Sequence, residues 1–404
     1  MGSDRTVGAL TWALLLAATL GYTCLMFAWF SLPAYLSTLI EAFGLTGAQA
    51  GLLAGAVPLT YVPVALFSGV VVDRVGPFNG LAVSVALVGI AQLGRSAATG
   101  FPAMLAFTVV LGVGGTGITF GLPKLVSTLF PSGRTGLPSS VYLLGASAGT
   151  ASAFAIGRPI LGPALGGWRP LFYYTGLFAL GYAVVLGALA VFGPTPGRGS
   201  SAPSFSRESM RRDLATILRH RDLLLVVAVG TMYLLVVHGM QGWLPTILEA
   251  RGAAPGRAGR ATALLVAANA AGVLLVPAVT DRMGRRRDAI LICGGGILVG
   301  VGTVAAAGTG LVLTAGVVAT GLGVGGLAPL VRVIPPELEG IGRARTGLAV
   351  GLVFAVGEIG GFLGPVLVGT GRDLTASFLP GLALLAAGGV VVVLAGSALP
   401  SLDG

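Results

Sequence analysis

Long, uninterrupted apolar runs constrain the fold of this chain more than any other feature. A helix needs about 20 apolar residues to cross the hydrocarbon core of a bilayer, and many runs in this sequence reach that length. Only 9% of the 404 residues are charged, whereas soluble domains carry about 25%, so a soluble core is excluded. The runs are continuous and do not alternate with polar residues, which argues against an outer-membrane barrel. The sequence therefore predicts an all-α membrane protein.

The runs predict twelve transmembrane helices in two pseudo-symmetric six-helix bundles. The predicted spans are residues 8–33, 47–72, 78–98, 102–129, 137–163, 169–193, 222–248, 260–280, 288–308, 311–333, 346–370 and 376–398. One long polar stretch, rich in Ser, Pro and Arg, separates the sixth span from the seventh. We therefore predict an N-terminal bundle at 1–193, a cytoplasmic linker at 194–221 and a C-terminal bundle at 222–404.

The basic residues are distributed unevenly between the two sides of these spans. With the N-terminus inside, 17 of the 24 basic residues lie on the cytoplasmic side, as is typical of membrane proteins. We therefore predict a multi-pass protein of the inner (cytoplasmic) membrane with both termini in the cytoplasm. The net charge of +10 then requires no nucleic-acid partner, and two cysteines and two histidines offer no metal cluster. We predict no cofactor, a monomer, and partners limited to the lipid bilayer and a small-molecule substrate.

Short motifs of the first half recur in the second half at nearly constant spacing. The Asp-Arg-x-Gly motif at 73–76 recurs at 281–284, and Leu-Gly-Val-Gly-Gly at 111–115 recurs 211 positions later at 322–326. An Arg-Thr-Gly motif and a Leu-Pro pair of the first half also recur in the second half, in the same order. Duplicated membrane halves around a central path are typical of transporters rather than of receptors or membrane enzymes.

The loop at 69–76, Gly-Val-Val-Val-Asp-Arg-Val-Gly, resembles the Gly-x-x-x-Asp-Arg-x-Gly signature of the major facilitator superfamily. The resemblance extends over essentially the whole chain and implies the major facilitator fold, with alternating access by rocking of the bundles. It also implies that these loops form a conformational latch for the outward-open state; the alternative is a simple positive-inside anchor. The candidate latch residues are Gly69, Asp73, Arg74, Gly76, Asp281, Arg282, Gly284 and Arg285.

Glu358 is the acidic residue that lies near the middle of a predicted span, the eleventh. Ionisable residues inside a membrane are costly and mark functional sites. Burial without a partner favours the neutral form of a carboxyl group, which is what a proton-coupling residue requires. The alternative is a structural ion pair with an arginine of another helix, Arg158 or Arg332.

Arg158 is the candidate for contact with an anionic substrate. It lies in the outer part of the fifth span, and the planar guanidinium fork matches a carboxylate in a two-point contact. The alternative is that its side chain snorkels to the outer headgroups.

Five other polar residues within the spans are candidates for substrate binding or coupling. His238 and Gln241 lie three residues apart and share a helix face. His238 can carry a proton, although a lone membrane histidine is as often a packing residue. The other three are Asn269 in the eighth span, Tyr61 in the second and Tyr142 in the fifth.

Several weak motifs together resemble the cyanate permease and nitroimidazole transporter type of porter. They include Phe-Ser-Leu-Pro at 30–33, Gly-Trp-Leu-Pro at 242–245 and Gly-Arg-Asp at 371–373. This resemblance implies a secondary active transporter of a small organic or inorganic anion, which we predict to be proton-coupled through Glu358. Import and export both remain open.

The alternative function is multidrug/proton antiport of hydrophobic compounds. The Gly-Pro-x-x-Gly-Gly motif at 162–167 is similar to an antiporter signature, but a bend and close helix packing need the same residues. The arginine that drug antiporters carry three residues before Gly112 is Val109 here, which argues against this alternative. No catalytic constellation occurs within the spans, so we predict that the protein is not an enzyme.

Overall fold

The fold is described from a computed structural model, and the described residues are overwhelmingly helical, with no β-strand among them. The structure describes residues 8–131, 133–192, 213–214, 216–338 and 341–400. Within these ranges, the side chains are described except at 65–74, 281, 283 and 342–344.

The described residues contain twelve long helices in succession, which confirms the predicted all-α membrane fold. They are α1 (Ala9–Ala34), α2 (Gly47–Val75), α3 (Pro77–Ala97), α4 (Phe101–Leu129), α5 (Gly136–Leu165), α6 (Trp168–Phe192), α7 (Arg221–Ala250), α8 (Pro255–Met283), α9 (Arg286–Ala306), α10 (Leu311–Val333), α11 (Gly342–Thr375) and α12 (Leu379–Ala398). Over the described residues, eleven of them are long and apolar enough to cross a membrane. The remaining helix, α2, has 29 residues, and part of it lies outside the described side chains.

Two local features depart from the predicted spans. A short helix, Leu36–Phe43, follows α1 directly. In α5, residues Ala153–Leu161 form a π-helical segment that contains Pro159. Proline lacks the N–H that an α-helical hydrogen bond requires, so the wider turn accommodates it without ending the helix.

The chain divides into two compact units. The N unit comprises Met1–Tyr35 and Thr60–Ser201, and the C unit comprises Leu36–Leu59 and Ala202–Gly404. The N-terminal part of α2 thus belongs to the C unit, although it comes from the first half of the sequence. The predicted boundaries at 193 and 222 follow the sequence repeat and do not separate this segment.

The same helix pairings occur within each unit. In the N unit α1 packs against α5, and α3 packs against α4 and α6. In the C unit α7 packs against α11, and α9 packs against α10 and α12. These pairs are related by a shift of six helices, which is the arrangement that the duplicated motifs predict.

The repeated glycine motif lies where helices approach most closely. A Cβ placed on Gly114 of α4 would lie 2.9 Å from the carbonyl oxygen of Ser84, and one on Gly325 of α10 would lie 2.0 Å from that of Asn269. Distances below 3 Å leave no room for a side chain, so only glycine allows this backbone contact. The glycines therefore act in helix packing, as small residues do in membrane proteins.

Candidate functional site

The candidate residues fall into a C-unit group around Glu358 and an N-unit group around Arg158 and the aromatic side chains.

The Oε2 atom of Glu358 is buried and has no hydrogen-bond partner among the described residues. The same residues provide no ion pair for it within 4 Å. Arg332 and Tyr233 are its electrostatic neighbours. An unpaired carboxylate oxygen in a low-dielectric setting costs several kcal/mol when charged, so this position suits a group that gains and loses a proton.

Arg332 is held by groups other than Glu358. Its Nη1 donates a hydrogen bond to the carbonyl oxygen of Ala328 at 2.5 Å, and its guanidinium lies 4.4 Å from the ring centroid of Phe354. The side chain is exposed at the end of α10. The alternative of a direct Glu358–Arg332 ion pair is therefore not observed.

Gly361 brings Glu358 and His238 close together. A Cβ on Gly361 would lie 2.8 Å from Cδ2 of His238, 3.2 Å from Cβ of Pro58 and 3.3 Å from Oε2 of Glu358. The absence of a side chain at this position allows α7 and α11 to present both titratable groups to the same small volume. The sequence singled out these two residues separately, and the structure places them together.

The other two C-unit candidates have different surroundings. Gln241 is buried in α7, one turn after His238. Asn269 lies at the α8–α10 contact, where its backbone faces Gly325 and Gly321. Its side chain is half-buried. The backbone at Asn269 therefore takes part in helix packing.

Arg158 contacts the C-terminal end of α1. Its Nη1 donates to the carbonyl oxygen of Ala34 at 2.6 Å, and its guanidinium lies 5.5 Å from the ring centroid of Tyr35. The last carbonyls of a helix lack partners within the helix and carry partial negative charge, so a cation is favourable there. The half-buried side chain is thus oriented by protein groups and not by headgroups alone.

Tyr61 and Tyr142 both pack against α1. The ring of Tyr61 lies 5.8 Å from that of Trp29, and its hydroxyl is 3.0 Å from the hydroxyl of Thr119. The ring of Tyr142 lies 6.3 Å from that of Tyr22. Tyr22 and Trp29 are two turns apart on one face of α1, so the two predicted tyrosines belong to one aromatic row.

Arg95 is a buried residue that the sequence analysis did not identify as a candidate. Its side chain is fully buried and donates to the carbonyl oxygen of Ala28 at 2.9 Å, to Oε1 of Gln92 at 3.2 Å and to Oγ1 of Thr108 at 3.2 Å. These acceptors come from α1, α3 and α4, and the structure describes no acidic partner. Gln92, three residues before Arg95 on the same face, was the available clue to burial.

In the candidate latch, the structure describes the two turns that follow α2 and α8. Gly76 has φ +87° between α2 and α3, and Gly284 has φ +66° after α8, a conformation that glycine adopts without strain. Arg282 is exposed, and Arg285 pairs with Asp288 at 2.5 Å. The side chains at Gly69, Asp73, Arg74 and Asp281 lie outside the described residues.

The Gly-Pro-x-x-Gly-Gly motif forms the end of α5 and its turn into α6. Gly166 has φ +93° and Gly167 has φ +125°. A Cβ on Gly162 would lie 1.6 Å from the hydroxyl oxygen of Tyr35. The local backbone conformation and packing therefore explain all three glycines, and the motif requires no antiport function.

Comparison with known proteins places these features in a family. The Major Facilitator Superfamily model matches residues 18–365. The 3-(3-hydroxy-phenyl)propionate transporter of Escherichia coli is 31% identical over 338 residues, which are 81% of this chain and 79% of that protein. A putative tartrate transporter of Agrobacterium vitis is 25% identical over 383 residues, 88% and 85% of the two chains. The crystal structure of a D-xylose–proton symporter superposes with a TM-score of 0.76 at 16% identity, covering 98% of this chain and 99% of that one.

Proposed function

This chain belongs to the Major Facilitator Superfamily, and on that premise we propose that it is a proton-coupled transporter of small organic carboxylates. It is a multi-pass membrane transporter of small solutes, and its family and fold are not those of enzymes. The proposal adds the substrate class and the coupling ion. We also propose that it lies in the inner membrane with cytoplasmic termini, that it is a monomer, and that its duplicated loops form the latch.

The buried Oε2 of Glu358, which has no hydrogen-bond partner among the described residues, carries the proposal for proton coupling. Alternating access exposes one position to each side of the membrane in turn. A carboxyl group there can load a proton from one side and release it to the other. His238 lies beside it, and Arg332 and Tyr233 interact with it electrostatically. His238 is placed to act as a second proton-accepting group or as a hydrogen-bond donor.

Two observations support an organic carboxylate as the substrate class. Relatives that match most of this chain are named for 3-(3-hydroxy-phenyl)propionate and for tartrate, which are both carboxylates. Arg158 is a half-buried cation oriented by Ala34 and Tyr35, and a guanidinium binds a carboxylate through two parallel hydrogen bonds. We propose that Arg158 contacts the substrate carboxylate, with Tyr61 and Tyr142 of the same unit as further contacts.

Uptake into proteoliposomes tests this function. The pH gradient is imposed in each direction in turn, and uptake of radiolabelled 3-(3-hydroxyphenyl)propionate, tartrate and ethidium is measured. We expect accumulation of at least one carboxylate in response to the gradient, and its loss when a protonophore is added. The direction of the effective gradient distinguishes symport from antiport.

Ethidium is the probe for the alternative of multidrug antiport. Movement of ethidium against its gradient, without movement of any carboxylate, would replace the proposed substrate class. Carboxylate movement that ignores the pH gradient would instead retain the substrate class and remove the proton coupling.

A further inference from the structure

An open groove lies between the end of α3 and the beginning of α6, within the N unit. Its volume is about 310 Å³, and it is lined by Ser96, Arg169, Pro170, Tyr173 and Tyr174. These residues are distinct from the candidate substrate and coupling groups. Under the predicted orientation, α3 ends and α6 begins on the outer side of the membrane. We call this feature the α3–α6 groove.

Close packing of the two helices fixes the walls of the α3–α6 groove. A Cβ on Gly176 of α6 would lie 3.0 Å from the carbonyl oxygen of Gly89 in α3, so the two backbones approach closely below the groove. At the groove itself, Nη1 of Arg169 donates a hydrogen bond to the carbonyl oxygen of Ser96 at 2.9 Å. The guanidinium also lies 4.4 Å from the ring centroid of the buried Trp168. Both contacts orient the planar fork of an arginine that is itself exposed.

Two tyrosines of the groove add hydroxyl groups to this arginine. Tyr173 and Tyr174 are 47% and 54% exposed, and their rings stand edge to face with centroids 5.5 Å apart. Tyrosine is enriched at membrane–water interfaces, where its ring contacts lipid and its hydroxyl meets polar groups. A phenolic O–H can donate to an anionic oxygen, as can the N–H groups of a guanidinium. The α3–α6 groove therefore offers a positive charge and hydrogen-bond donors to an anion at the membrane boundary.

The exposed face of α6 continues from the groove as an apolar strip. Large, exposed apolar side chains follow along it, namely Leu177, Phe178, Val184 and Val185. The first two lie one turn after Tyr173 and Tyr174, so they share the face of the tyrosines. From Tyr173 to Val185 the helix rises about 18 Å, which is comparable with the depth of one bilayer leaflet. A polar end and an apolar continuation on one helix face match the two parts of a phospholipid.

The charge of the N unit favours an anion at this end. In its sequence the acidic residues are Asp4, which precedes α1, and Asp73, near the end of α2. Since α3 follows α2 directly and has 21 residues, Asp73 and the groove lie at opposite ends of α3, about 30 Å apart. The predicted orientation places both acidic residues on the cytoplasmic side. An anion in the α3–α6 groove therefore meets Arg169 without repulsion from a nearby carboxylate of this unit.

We propose that the α3–α6 groove is a binding site for an anionic phospholipid. The phosphate oxygens accept hydrogen bonds from the guanidinium of Arg169 and from the hydroxyls of Tyr173 and Tyr174, and an acyl chain lies along the apolar strip of α6. Free phosphate shares the headgroup chemistry but has no chain to bury. The inference goes beyond the proposed transport function and does not depend on it.

Lipid binding to the purified full-length protein in detergent tests the site. Native mass spectrometry measures the apparent Kd for phosphatidylglycerol, for phosphatidylcholine with the same acyl chains and for inorganic phosphate. We expect phosphatidylglycerol to bind several-fold more tightly than phosphatidylcholine, because the choline cation offsets the charge of its own phosphate. Inorganic phosphate should not bind at the concentration at which phosphatidylglycerol saturates the site, because it gains nothing from the apolar strip.

Four variants test the two parts of the site. Arg169→Ala should weaken the binding of phosphatidylglycerol about tenfold or more, because it removes a charged hydrogen-bond donor. Arg169→Lys keeps the charge without the planar fork and should have an intermediate effect. Tyr173→Phe loses only a hydroxyl, and Phe178→Ala loses only apolar contact, so each should weaken binding by a smaller factor. Arg257→Ala is the matched control, because Arg257 is an exposed arginine in the first turn of α8, and it should leave binding unchanged.

Two results would overturn the proposal. If the two lipids bind equally well, or if folded Arg169→Ala protein binds phosphatidylglycerol with the parental affinity, these residues only anchor the protein at the interface. If inorganic phosphate binds through Arg169 and displaces the lipid, the groove is a site for free phosphate instead.

Melting temperatures show whether the variants are folded, which matters because Arg169 also bonds to Ser96. Should Arg169→Ala fail to fold, Arg169→Lys and Phe178→Ala decide by the same criterion. The measurement needs no transport substrate, so a failure of the carboxylate assay leaves this result independent.

Discussion

The N unit and the C unit share a scaffold but differ in their buried charged groups. Both use the same helix pairings and the same Leu-Gly-Val-Gly-Gly motif. The N unit buries a cation, Arg95, whose contacts in the described structure are neutral acceptors. The C unit instead holds an acid, Glu358, with one oxygen unpartnered among the described residues. Duplication thus accounts for the shared architecture, whereas the buried charged groups are residues that the repeat does not share.

The repeated glycines test the shared part of this comparison and should give the largest effect on stability. In Gly325→Ala the new Cβ would lie 2.0 Å from the carbonyl oxygen of Asn269, and we expect the free energy of unfolding to fall by about 3 kcal/mol or more. In Gly114→Ala, its counterpart in the N unit, the new Cβ would lie 2.9 Å from the carbonyl oxygen of Ser84. We expect this variant to lose about 1–3 kcal/mol in free energy of unfolding. Gly302→Ala is the control, because its Cβ would have no atom within 4 Å. The three variants are compared by thermal unfolding in detergent. Equal stability of all three would remove the packing explanation for the repeat.

Arg95 tests the first of the unshared groups. Arg95→Met removes a buried charge that has no acidic partner among the described residues, and retains most of the side-chain volume. Arg95→Lys keeps the charge but not the planar fork that reaches three acceptors. We therefore expect the lysine variant to be less stable than the methionine variant by about 1–3 kcal/mol. The reverse order in a thermal melt would mean that the charge itself stabilises the N unit.

Arg158 tests whether the N unit also supplies the anion contact. Arg158→Ala should weaken carboxylate binding about tenfold or more, because it removes a charged hydrogen-bond donor. Arg158→Lys should have a smaller effect, since it keeps the charge and loses only the fork. Binding is measured on folded protein, because both variants also lose the contact with Ala34. Small and equal changes in affinity would mean that Arg158 only stabilises the C-terminal end of α1.

The duplicated loops should give the smallest effects. Asp73→Asn and Asp281→Asn should each lower the transport rate several-fold without changing the melting temperature, because a latch shifts conformational populations and contributes little to the fold. Transport by both variants at the parental rate would reduce the loops to membrane anchors.

The sequence predicted helices well and side-chain partners poorly, for a physical reason. The length of a span such as 311–333 is dictated by bilayer thickness, and the structure has α10 at Leu311–Val333. The π segment around Pro159 was not predicted, since proline indicates a bend without specifying its form. Burial of Arg95 depends on acceptors from three helices that are distant in sequence. Glu358 was recognisable because an acid at mid-membrane is costly wherever its neighbours lie.

The proposed proton coupling depends most directly on Glu358, and Glu358→Gln tests it. Glutamine matches the protonated carboxyl in shape and charge but cannot release a proton. We expect the variant to fold, to bind the carboxylate and to exchange it across proteoliposomes, yet to show no accumulation driven by a pH gradient. Glu41→Gln, an exposed glutamate on the helix Leu36–Phe43, is the control and should accumulate substrate normally. A well-folded Glu358→Gln protein that still accumulates substrate under a pH gradient would contradict the proposed coupling.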